Sequence, residues 1–279
     1  MAVNDDERGT EKGGRSTDSG HETATAARVQ VSDIAKHYEG NEGPIRALEG
    51  VSFDVSDGEF VCLVGPSGCG KTTMFRIIAG LESATAGDVF LNDERVDGPT
   101  SDMGVVFQEY HLFPWRTVRG NVAFGLEKSD VAAEERRARV ERLVELVGLE
   151  GFGDSYPKEL SGGMKQRVAI ARALAVDPDL LLMDEPFGAV DAQTREMLQT
   201  ELLEIWRETG KTVLFVTHDV EEAVKLADRI VVMAKEPGRV REVIDVDLPR
   251  PRARSDAKFG RYYERVLGLI RGERGTPDV

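Results

Sequence analysis

An apolar run over residues 60–64 breaks off into Gly65-Pro66-Ser67-Gly68-Cys69-Gly70-Lys71-Thr72-Thr73. A short, continuous apolar run reads as a strand buried on both faces, as in a mostly parallel sheet covered by helices. The glycines that follow let the backbone wrap tightly and turn successive amides inward. Residues 71–79 are predicted as a helix, whose N-terminus adds partial positive charge to the same place. Strand, loop and helix together make an anion cradle. The spacing Gly, four residues, Gly, Lys, then Ser or Thr is the phosphate-binding loop pattern. In that pattern Lys71 bridges the β- and γ-phosphates of a nucleotide and the Thr72 hydroxyl binds Mg²⁺. A glycine-rich turn that merely carries a lysine would need neither the strand nor the helix.

The rest of the chain supports an α/β fold. Val29, Val31 and Ile34 suggest a first strand, and Val51, Phe53 and Val55 alternate with Ser52 and Asp54 at the period of a half-buried one. Further strands are expected over 180–183, 212–216 and 230–233. Val140, Leu143, Val144 and Val147 share one helix face, and Glu134, Glu135, Arg136, Arg137 and Arg139 are expected to face solvent. Residues 167–176 read as a helix stopped by Asp177-Pro178. Tyr262, Val266 and Ile270 mark a last helix after a Pro-Arg-rich connector.

The 180–183 run ends in Asp184-Glu185. Two carboxylates at the tip of a buried strand are costly without a partner. Beside a phosphate loop, Asp184 suits the Mg²⁺ shell and Glu185 suits polarising the attacking water. A third signal is Leu160-Ser161-Gly162-Gly163-Met164-Lys165-Gln166-Arg167. Ser161 alone could be an ordinary helix N-cap. A cap needs no pair of glycines, whereas exposed amides at a helix start make a second anion site.

That segment resembles the signature motif of ATP-binding-cassette ATPases. The resemblance covers about 28–250 and implies a phosphate-loop NTPase core, an antiparallel β subdomain and an inserted α-helical subdomain near 112–170. It implies ATP and Mg²⁺ as ligands. Residues 65–73 (Gly65, Pro66, Ser67, Gly68, Cys69, Gly70, Lys71, Thr72 and Thr73) would hold ATP, with Ser161, Gly162, Gly163, Gln166 and Asp191 contacting nucleotide from a second copy. Thr72, Gln108 and Asp184 would hold the metal. Glu185, His218 and Gln108 would be catalytic, and Tyr38 would stack on adenine. Gly188-Ala189-Val190-Asp191 matches the dimer-contacting loop, where the family more often has Leu in place of Val190.

Phe113-Pro114-Trp115-Arg116-Thr117-Val118, Phe187-Gly188-Ala189 and Pro249-Arg250-Pro251-Arg252 are similar to the nitrate, sulfonate and taurine importer ATPases; importers of pyrimidine precursors share parts of this. The resemblance implies a homodimer on the cytoplasmic face of the membrane, working with transmembrane permease subunits and an extracytoplasmic solute-binding protein. Phe113 and Trp115 would either dock the permease or form subdomain core. Soluble cassette proteins of translation or DNA repair usually carry a second cassette or a long coiled coil, and small-molecule kinases lack the signature.

Composition narrows the setting. No apolar run approaches the roughly 20 residues of a membrane-spanning helix, and the N-terminus lacks a basic-then-apolar signal. Residues 1–27 are polar and are expected to be a disordered tail, with 251–279 a connector and helix. Two cysteines suit a reducing compartment. A formal net charge of -14 argues against a nucleic-acid partner. Excess carboxylate with few lysines suggests a halophilic source.

Overall fold

The computed structural model describes residues 27–40, 43–127 and 129–272. The expected N-terminal tail lies outside these residues except for its last position, as do the last residues, 273–279, of the expected C-terminal connector and helix.

The chain opens with paired antiparallel strands β1 (Ala27–Gly40) and β2 (Gly43–Ser56). Val51, Phe53 and Val55 of β2 are buried while Ser52 and Asp54 are exposed, as their alternation requires. β3 (Phe60–Val64) is buried throughout and leads through the glycine loop into α1 (Lys71–Ile78). β4 (Ala86–Leu91) and β5 (Glu94–Arg95) return to the first pair, giving a four-stranded antiparallel sheet ordered β2-β1-β4-β5.

After β6 (Met103–Val106) come α2 (Val118–Ala123), α3 (Ala133–Leu146) and α4 (Gly162–Leu174). Then follow β7 (Leu180–Asp184), α5 (Ala192–Thr209), β8 (Thr212–Thr217) and α6 (Val220–Leu226). β9 (Arg229–Ala234), β10 (Arg239–Asp245) and α7 (Ala257–Arg271) complete the described chain. The second sheet is ordered β10-β9-β3-β8-β7-β6 and is parallel except for β10 at its edge.

Burial on both faces explains the unbroken apolar strands. Phe60, Cys62 and Val64 join a core with α2 to α7, while Val61 and Leu63 join another with α1 and the antiparallel sheet. Strand β7 divides likewise: Leu181 and Met183 face the first core, Leu180 and Leu182 the second.

Several expectations need correcting. The helix opened by Ser161, Gly162 and Gly163 starts at Gly162 as expected, with Ser161 as its cap, but ends at Leu174 and not at Val176. On α3, Val140 and Val144 are buried as expected, but Arg136 and Arg139 do not simply face solvent. Arg136 donates to the Leu126 carbonyl at 3.3 Å, and Arg139 lies 3.7 Å from Asp177. The C-terminal connector is an arginine clamp. Arg252, buried, donates to the carbonyls of Leu248, Val224, Ala227 and Val246 at 2.6–3.1 Å. Burial and the neighbouring Arg250 charge lower its pKa to about 10, which leaves it charged at neutral pH. Arg250 pairs with Asp228 at 2.7 Å and lies over the Trp206 ring.

Candidate functional site

Strands β3, β8, β7 and β6 are adjacent and, being parallel, end on the same edge of the sheet. That edge is where ligands bind in open α/β sheets. The loop 65–73 leaves β3, His218 follows β8, Asp184 and Glu185 end β7, and Gln108 lies just beyond β6. Residues more than a hundred positions apart are thus brought into one row by strand order alone.

The loop curls around its own lysine. Lys71 is buried, and Nζ donates to the Gly65 carbonyl at 2.8 Å and the Pro66 carbonyl at 3.3 Å. Gly70 has φ +90, and a Cβ there would stand 2.5 Å from Leu48 Cδ2, so both backbone and space require glycine. Thr72 is exposed at the start of α1. Cys69 is buried, and burial raises its thiol pKa, so it is a packing residue without thiolate character.

Asp184 is raised to a pKa of about 6, first by burial and then by the neighbouring Glu185 charge, with Lys71 pulling it down. A carboxylate held in this way is poised for a cation. The Asp184 carboxylate, the Thr72 hydroxyl and the Gln108 amide oxygen are hard oxygen donors suited to Mg²⁺, which usually takes few protein ligands and completes its shell with phosphates and water. Glu185 has φ +43, a left-handed conformation costing about 1–3 kcal/mol for a non-glycine residue. It is held there by its amide bond to the Val216 carbonyl at 2.8 Å and by the Gly188 amide, which donates to the Glu185 carbonyl at 3.0 Å. The strained turn aims the carboxylate at His218, whose Nδ1 lies 2.9 Å from Glu185 Oε2.

Gln108 reaches the same turn, since a Cβ at Gly188 would be 3.3 Å from its Nε2. Tyr38 is partly exposed beside the loop; its hydroxyl donates to Glu82 at 2.6 Å and stands 3.4 Å from Thr73 Oγ1. Ser161 caps α4, accepting from the Met164 amide at 3.2 Å, so it is an ordinary cap as well as a candidate anion contact. The nearest neighbours of the Gly162 and Gly163 side-chain positions are Tyr110, Val190, Thr194 and Leu198, none of them in the 65–73 loop. Asp191 caps α5 through Thr194, whose hydrogen bonds lower its pKa, and stays exposed.

Gln166 does not fit a nucleotide contact. It is wholly buried on the inner face of α4, and neither side-chain polar atom has a hydrogen-bond partner. Other residues were missed. Tyr110 packs against Gly162, and Glu222, Arg195 and Thr217 adjoin Glu185 and His218 around one small cleft. Their signal in the sequence is slight, because they come from separate elements and form no contiguous motif.

The chain is similar to known proteins. A family model described as ABC transporter matches residues 48–188. An uncharacterized ABC transporter ATP-binding protein of Methanocaldococcus jannaschii is 51% identical over 246 residues, covering 88% of this chain and 92% of that protein. The aliphatic sulfonates import ATP-binding protein SsuB of Bacillus cereus is 46% identical, with 86% and 94% covered. The nitrate import ATP-binding protein NrtD of Synechocystis is 44% identical, with 88% and 95% covered. Among solved structures, a dimeric ATP-binding cassette in a post-hydrolysis state bound to ADP and Pi superposes with a TM-score of 0.68 at 35% identity, covering 79% of this chain and all of that one. A cassette from the cbiONQ transporter complex of Clostridium perfringens gives 0.71 at 28% identity, covering 79% and 89%. With the phosphate loop, the strand-tip carboxylates and the signature helix in place, the chain belongs to the ABC transporter family as an ATP-hydrolysing ATP-binding subunit.

Proposed function

We propose that this subunit drives an importer of the nitrate, sulfonate or taurine type, dimerising around two ATP–Mg²⁺ units. The observation that supports this is that the signature glycines have no close neighbour in the phosphate loop of the same chain. The glycines of the 161–163 segment have their close neighbours on the 108–111 and 187–198 stretches, away from the 65–73 loop of the same chain. Each ATP is then completed by the signature loop of a second copy. The similarity to sulfonate and nitrate import ATP-binding proteins, and to a dimeric cassette bound to ADP and Pi, supports the same reading.

In hydrolysis Glu185 acts as general base. It takes a proton from water as the water oxygen bonds to the γ-phosphorus and the bond to the leaving ADP oxygen breaks. His218 holds the carboxylate and contacts the γ-phosphate, Lys71 neutralises phosphate charge, and Gln108 orients the water. Thr72, Gln108 and Asp184 would hold Mg²⁺, which would supply charge neutralisation on the phosphates. Tyr38 stacks on the adenine.

No helix among the described residues is long and apolar enough to cross a membrane. The subunit works peripherally, on the cytoplasmic face of its permease, through the surface around Gln108 and Trp115. A binding protein outside the membrane delivers the solute. Reconstitution of the subunit with its permease in liposomes tests this: ATP-driven uptake should respond to a nitrate- or sulfonate-binding protein. ATP turnover that no permease and no binding protein alters would contradict the importer reading.

A further inference from the structure

Beside the Glu185–His218 pair lies a polar network built on Glu222 and Arg195. Glu222, on α6, is 5% exposed, yet its carboxylate is well partnered. Thr217 Oγ1 donates to Oε2 at 2.6 Å, and Gln199 Nε2 on α5 donates to Oε1 at 3.2 Å. Arg195, also on α5, places Nε 3.8 Å from Oε1 and Nη1 3.9 Å from Asp219 Oδ2. The same guanidinium donates to the carbonyls of Phe187 and Val190 at 3.3 and 3.2 Å.

The two ends of this network are chemically distinct. Thr217 and Asp219 flank His218, and the Thr217 hydroxyl also accepts the Asp219 amide at 3.0 Å. Phe187 and Val190 belong to the turn between Glu185 and Asp191, the segment that the proposed dimer would place against a second copy. Glu222 therefore holds the histidine turn and Arg195 holds the partner-facing turn, with the two side chains in electrostatic contact. Burial raises the Glu222 pKa, while the hydrogen bonds from Thr217 and Gln199 pull it down. A carboxylate receiving donors only, opposite a guanidinium, is best satisfied as the anion.

We propose that Glu222 and Arg195 are positioning residues for hydrolysis, coupling the His218 turn to the 187–191 turn so that both move as one unit when a second subunit docks. Glu222 is buried and Arg195 is turned onto the Phe187 and Val190 carbonyls, so both are assigned an indirect role. They act by fixing where His218 stands relative to Glu185, and small displacements of such a group are expensive for catalysis. This rests on the assignment of Glu185 and His218 to the hydrolytic site.

A double-mutant cycle on the purified full chain tests it. Steady-state ATP hydrolysis and equilibrium binding of a fluorescent ATP analogue would be measured for wild type, Glu222→Ala, His218→Ala and the double variant. Glu222→Ala should lower kcat about 10- to 100-fold with KM and analogue affinity within about twofold, as expected for lost positioning. In the His218→Ala background the same change should cost less than about threefold, because the positioned group is gone. Arg195→Gln, at a partly exposed site, carries the same cycle if Glu222→Ala does not fold. Equal losses in both backgrounds, or an unchanged kcat, would overturn the proposal while leaving the site intact. Wild-type turnover in His218→Ala would overturn the site assignment and this proposal with it.

Discussion

His218 Nδ1 stands 2.9 Å from Glu185 Oε2, joining the turn after β8 to the tip of β7. The contact spans 33 positions of sequence and exists because β7 and β8 are parallel neighbours ending on one edge. It gives the candidate base a fixed orientation before any phosphate arrives.

Glu185→Gln should therefore abolish turnover without unfolding the chain. The amide keeps the shape but takes no proton, and loss of a general base costs on the order of 100- to 10,000-fold. ATP binding should persist, whereas Lys71→Ala should weaken binding itself. Phosphate release and equilibrium nucleotide binding, measured side by side, check both; turnover near wild type in Glu185→Gln would remove the base role.

Asp184 gives a pH dependence of defined sign. Its pKa is raised from 3.8 to about 6 by burial and the Glu185 charge. The folded state then holds this proton to higher pH than the unfolded chain, so stability falls as pH rises across that interval. Asp184→Asn without nucleotide should melt above wild type near about pH 8, and the gap should narrow towards about pH 5. In wild type, Mg²⁺-dependent nucleotide binding should weaken as pH falls through about 6, where the carboxylate protonates. Melting curves that coincide at both pH values would contradict the buried-charge account.

Phe113 and Trp115 differ in burial although their rings lie 5.6 Å apart. Trp115 is 71% exposed, while the Phe113 ring lies 4.4 Å from that of Phe124 with Arg116 and Arg172 close by. Trp115→Ala should change stability by less than about 0.5 kcal/mol and leave the free subunit's ATPase intact while uncoupling transport. Phe113→Ala should destabilise by about 1–3 kcal/mol through lost packing. Denaturant unfolding of the two variants checks the division, and equal losses of stability would contradict it.

The fold and the chemistry were legible to different depths. The 60–64 strand, the 65–73 loop and Asp184-Glu185 could be read because their chemistry needs contiguous residues. The coupling of Glu222 to Arg195 could not, since it joins two helices through side chains that look like solvated surface in the sequence. Gln166 was misread by its proximity to Ser161. The helical period places it with Gly163 and Ile170 on the buried face, a signal available in the sequence. Strands β6 and β10 escaped notice because one has only four residues and the other is a charged edge. Arg252 read as part of a connector because charged residues are rarely buried without a carboxylate.

The charge balance yields a test of its own. With a formal net charge of -14, self-repulsion opposes the compact state at low salt. The melting temperature should rise between dilute buffer and about 1 M KCl, where the screening length falls to about 3 Å. A flat or falling profile would reject adaptation to a salty cytoplasm.

The composite site is tested most directly by mass in solution. Glu185→Gln with ATP and Mg²⁺, sized by chromatography with light scattering, should run as a dimer, because in the proposed mechanism ATP closes the interface and only hydrolysis opens it. Adding Ser161→Arg places a bulky cation where the partner's γ-phosphate would lie, and the double variant should return to monomer while still binding ATP. A double variant that remains dimeric with ATP would contradict the sandwich on which the mechanism rests.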